Sequence, residues 1–135
     1  MLYKKNQTPK LDMKLFENPT AEYRGTPFWA WNCELEEDEL IRQIDCLKEM
    51  GMGGFHMHTR SGMATKYLGD EFMHLVKSCV NKAKKENMLA WLYDEDRWPS
   101  GTAGGYVTKT PQFRERKLVF TVNSIENVDS KDEAI

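Results

Sequence analysis

Met88-Leu89-Ala90-Trp91-Leu92-Tyr93, running straight into Asp94-Glu95-Asp96-Arg97-Trp98-Pro99, is the stretch that decides the fold. Six apolar residues without alternation describe a strand covered on both faces, as parallel strands in α/β proteins are. Upstream, Phe72, Met73, Val76, Cys79, Val80 and Ala83 recur at helical spacing, with Lys77, Lys82, Lys84 and Lys85 on the opposite side. Asp70 is placed to cap that helix. Before it, Gly53-Gly54 leads into Phe55-His56-Met57-His58, a strand with both imidazoles on one face and Phe55 and Met57 on the other.

The acids of Glu34-Leu35-Glu36-Glu37-Asp38-Glu39 suit a helix N-terminus. Leu40, Ile41, Ile44, Leu47 and Met50 continue that helix, and Gly51 supplies its stop. Pro27-Phe28-Trp29-Ala30-Trp31-Asn32 is the first strand, with its proline where a missing N–H is tolerated. Strand, helix, strand, helix, strand with short connections predicts right-handed βαβ crossovers and a parallel sheet. Residues 1–22 are expected to form a flexible leader. Lys117-Leu118-Val119-Phe120-Thr121-Val122 is expected to open a further β segment before a frayed tail, so that 114–135 stands apart from 23–113.

The chain has 135 residues, 40% hydrophobic and 30% charged, which is globular composition. Nineteen basic against 21 acidic side chains leave a net charge of −2, without the basic excess that nucleic acid demands. Cys33, Cys46 and Cys79 form no CxxC pair and fit a reducing compartment. The polar, lysine-containing start is no secretory leader, and no apolar run is long enough to cross a bilayer. A cytoplasmic protein with neither nucleic-acid nor membrane partners is the expectation.

In parallel α/β architectures ligands gather at the C-terminal ends of the strands. Those ends hold Asn32, then His56, His58 and Arg60, then Asp94, Glu95, Asp96 and Trp98, whereas the opposite ends are plain. His-x-His on a strand projects two imidazoles to one side, where they can hydrogen-bond sugar hydroxyls or chelate a metal given further ligands. The acids suit general acid/base work, polyol binding or calcium, and Trp98 can stack on a sugar. Gly51-Met52-Gly53-Gly54 precedes a strand and is no dinucleotide turn. Gly101-Thr102-Ala103-Gly104-Gly105 lacks the Gly-Lys-Ser/Thr of a phosphate loop.

Phe28-Trp29-Ala30-Trp31-Asn32, Gly53-Gly54-Phe55-His56-Met57-His58-Thr59-Arg60-Ser61-Gly62 and, above all, 91–105 resemble the N-terminal part of the α-L-rhamnosidase-like glycoside hydrolases of family 106 and their bacterial relatives. The likeness spans about Asn18 to Phe113. It implies the first three parallel strands and two intervening helices of a partial (β/α)8 TIM barrel, in an enzyme that hydrolyses terminal, rhamnose-type glycosidic bonds. It implies inversion with calcium possible in the full-length enzyme, and no metal site assigned within this chain. It also places Asn32, His56, His58, Arg60, Asp94, Glu95 and Trp98 near the sugar pocket.

A glycosidase needs two carboxyl groups across the bond, usually from different strands. Only the third strand supplies acids here, with Glu95 the candidate catalytic residue. A whole barrel takes about 250 residues, so the expected partner is the remainder of its own barrel, and the 135 residues alone are expected to be marginally soluble and inactive. The alternatives are a metal-dependent hydrolase using His56 and His58, and a non-catalytic sugar-binding module.

Overall fold

A computed structural model of the protein describes residues 7–97, 101–116 and 118. Its centre is a three-stranded parallel sheet of β1 (Phe28–Trp31), β2 (Gly54–Thr59) and β3 (Leu89–Asp96), hydrogen-bonded in the order β1-β2-β3. The connections are α2 (Glu37–Glu49) and α3 (Asp70–Lys85); a five-residue helix, α1 (Met13–Glu17), precedes the sheet. Strand order following chain order, with two helices packed together on one face, is how a barrel wall grows. A doubly wound sheet would reverse direction and cover both faces.

Local chemistry sets the boundaries. Glu37, Asp38 and Glu39 occupy the first turn of α2, where the helix dipole favours negative charge. At the other end Gly51, with φ +81°, donates to the Lys48 carbonyl at 2.9 Å, and Met52 donates to that of Leu47 at 3.0 Å. The same paired closure ends α3, with Asn87 at φ 55° and Met88 donating to Ala83. These left-handed caps satisfy orphan carbonyls and turn the chain directly into the next strand. Asp70 is the first residue of α3 and Gly69 its cap, with no side-chain capping bond, so Asp70 acts through its charge on the dipole instead. The segment expected as a leader contains α1, whose start is capped by Asp12 accepting from the Lys14 and Leu15 backbone N–H groups.

The core lies between the sheet and the helices. Trp29 and Trp31 of β1, and Phe55 and Met57 of β2, pack against Leu40 and Ile44 of α2 and Phe72 and Cys79 of α3. Alternation sends the neighbouring residues to the other side, which no helix covers among the described residues: Phe28 stays 66% exposed. β3 departs from expectation twice. It is an edge strand with Leu92 exposed, and it runs on through the acids to Asp96. Between the pairs Met57↔Leu92 and Thr59↔Asp96, β3 spends four residues where β2 spends two, an irregularity of the kind that re-aims side chains. The strand expected over Lys117–Val122 lies outside the described residues apart from Leu118, as does the tail beyond it. Among the described residues no helix is long and apolar enough to cross a membrane.

Candidate functional site

The open face of the sheet is built rung by rung. Phe28, His56 and Trp91 are register partners across the three strands, and His58 lies two residues further along β2. The His56 and Trp91 rings stack with centroids 4.7 Å apart and planes 12° apart; Phe28 closes on His56 at 5.5 Å. His58 sits 4.4 Å from Tyr93 and 5.3 Å from Phe28, also ring to ring. Two imidazoles thus sit within a frame of three aromatic rings.

Charges collect at the C-terminal end of this face. Burial, joined by the Arg60 guanidinium and by His56, pulls His58 below the usual imidazole range, against the opposing pull of Glu95. His56, Arg60 and Glu95 thus all act electrostatically on His58 at this end of the sheet. Asn32 and Asp94 are exposed at the same end of the sheet without entering that group, and Trp98 lies outside the described residues. His74 is a surface residue of α3, 3.0 Å from Glu37 of α2.

The irregularity in β3 separates its acids. Glu95 acts on His58, whereas Asp96 pairs in register with Thr59 and is 5% exposed, held by Arg97 at 3.0 and 3.2 Å. Burial, reinforced by Asp96, Asp94 and Glu95, raises the Tyr67 hydroxyl above its ordinary value. A loop packs over this corner: a Cβ on Gly104, whose φ is +66°, would stand 2.8 Å from the Tyr67 ring. Thr59 Oγ1 and Trp31 Nε1 are buried on the helix side without a hydrogen-bond partner among the described residues.

Calcium takes six to eight oxygen ligands. Asp96 is paired with Arg97, and the described residues do not assemble such a cage. Among them no three His, Cys, Asp or Glu side chains cluster as metal ligands, so the metal-dependent alternative has a histidine pair and lacks a third donor. Phe28, Trp91 and Tyr93 are site-face residues that the motifs did not single out. Period-two alternation in register with the histidines was the available signal.

One face covered by helices, one left open and polar groups at the strand ends define an α/β pattern of the barrel-like class. Among solved structures, the chain is similar to part of the rhamnosidase from Novosphingobium sp. PP1Y, with a TM-score of 0.52 and 17% sequence identity over 64% of this chain. The match spans 9% of that rhamnosidase, and likeness at this identity concerns the fold. No family model matches the chain, and no curated protein matches it.

Proposed function

We propose that this chain supplies part of the sugar-binding pocket of a glycoside hydrolase acting on terminal, rhamnose-type glycosidic bonds. The observation that carries the proposal is the open sheet face, where Phe28, Trp91 and Tyr93 frame two imidazoles beside Glu95. Aromatic rings take the C–H faces of a sugar, and imidazoles and Arg60 take its hydroxyls. Among the described residues no helix packs on this face, where Phe28 is exposed and His58 is buried beneath its aromatic neighbours.

Glu95 is the proposed acid/base group on this wall, and His58 and Arg60 set the field around it. Glycoside hydrolysis needs a second carboxyl group roughly 5 to 9.5 Å away. Asp96 is buried and paired with Arg97, and the proposed second group lies on the remainder of the barrel. The test is aryl α-L-rhamnoside hydrolysis by the polypeptide extended through its downstream reading frame. Glu95→Gln is expected to lower kcat by about 10²–10⁴ with little change in KM; a kcat within about threefold of the parent overturns the assignment. Turnover by the 135 residues alone would contradict the need for a second wall.

A further inference from the structure

His56 is held differently from its neighbour. Its ring is a rung between Phe28 and Trp91, nearly parallel to the indole, on strands whose register places the three residues side by side. The consequence falls on one atom. Nδ1 is sealed from solvent with no hydrogen-bond partner among the described residues, and Nε2 is not sealed.

A neutral imidazole carries one proton, and the partner available to each nitrogen decides where it sits. A proton on Nδ1 would be a buried donor with nothing to receive it. Orphaned buried N–H groups are rare in proteins, and buried acceptors short of a partner somewhat less so. We infer that the neutral His56 ring is fixed as the Nε2–H tautomer and presents a single hydrogen-bond donor to the open face, selecting an acceptor oxygen on the ligand: a hydroxyl, ring or glycosidic oxygen. The sugar class of that ligand rests on the function proposed above; the tautomer does not.

Nitrogen-15 long-range correlation spectra of the full chain test the tautomer directly. A pyridine-like Nδ1 with a pyrrole-like Nε2 is expected, and the reverse pattern overturns the inference. The donor is tested with methyl α-L-rhamnopyranoside. The carboxamide N–H of His56→Gln reaches the place of Nε2, whereas that of His56→Asn reaches only the place of Nδ1. Affinity is expected within about twofold of the parent for His56→Gln and about five- to tenfold weaker for His56→Asn, the worth of one net hydrogen bond. Equal losses in the two variants, with both still folded, refute the donor role. No binding by the polypeptide extended through its downstream reading frame refutes the carbohydrate proposal, and the nitrogen shifts still decide the tautomer.

Discussion

Gly54→Ala sets two effects of opposite sign against each other in the middle of the sheet. Replacing glycine where φ suits any residue ordinarily stabilises by about 0.4–1 kcal/mol, because the unfolded chain loses freedom. Gly54 has no positive φ, so the backbone raises no objection. The obstacle is β3: a Cβ here would stand 2.2 Å from the Leu89 carbonyl oxygen and 2.9 Å from its carbonyl carbon and its Cβ. Ordinary C···O contacts begin at about 3.3 Å. The strands would have to part by roughly 1 Å, a large fraction of a spacing of about 4.8 Å. The bond from Leu89 N–H to the Gly53 carbonyl, 2.8 Å long, sits at the opening point.

Overpacking of this kind costs about 1–3 kcal/mol, and a lost ladder bond about 0.5–1.5 kcal/mol. After the unfolded-state gain, Gly54→Ala is expected to destabilise by about 2 kcal/mol. Urea denaturation followed by tryptophan fluorescence should show the midpoint fall by about 1 M. Gly25→Ala is the control, since its Cβ meets only Met52 Sδ, at an ordinary 3.5 Å, and φ is again permissive. It should be neutral or slightly stabilising. A Gly54→Ala midpoint at or above the parent's would refute the close approach of β2 and β3.

Stability should fall as pH drops below about 6.5. The folded His58 pKa lies below the ordinary 6.5, so the unfolded chain takes up the proton first; the penalty is absent above 6.5 and grows until pH reaches the folded value. His58→Gln should flatten that limb of a Tm-against-pH curve. Thr59→Val removes a buried hydroxyl that has no partner and should raise Tm, by about 3–5 °C for a gain near 1 kcal/mol; a fall in Tm would reveal that a water holds the hydroxyl. Cys79 is fully buried and its thiol is pushed up to about 12, so a thiol reagent at pH 8 should label exposed Cys33 quickly and Cys79 only on unfolding.

The topology was legible because periodicity and punctuation agree. In β2 the alternation Phe55, His56, Met57, His58 separates core from site without ambiguity, and Gly51 and Asn87 stand where helices must turn into strands. β3 was read less well for a physical reason. Acids are depleted in strands, so Asp94-Glu95-Asp96 reads as a loop, but an edge strand that gains two residues accommodates them. The uninterrupted run Met88–Tyr93 likewise suggests cover on both faces, whereas only one face meets helices. Phe28 reads as core by composition; only its register opposite His56 places it on the open side. Which acid faces the histidines depends on that irregularity, which no spacing rule announces.

On the function proposed, the open face of this sheet is a sugar-binding surface. Titrating methyl α-L-rhamnopyranoside into the labelled protein, with aromatic and imidazole resonances followed by NMR, decides whether it is one. Saturable shifts confined to Phe28, His56, His58, Trp91 and Tyr93, lost in Phe28→Ala with Tm unchanged, are the predicted result. Unmoved rings on that face at saturating sugar, or shifts confined to the helix side of the sheet, would contradict it.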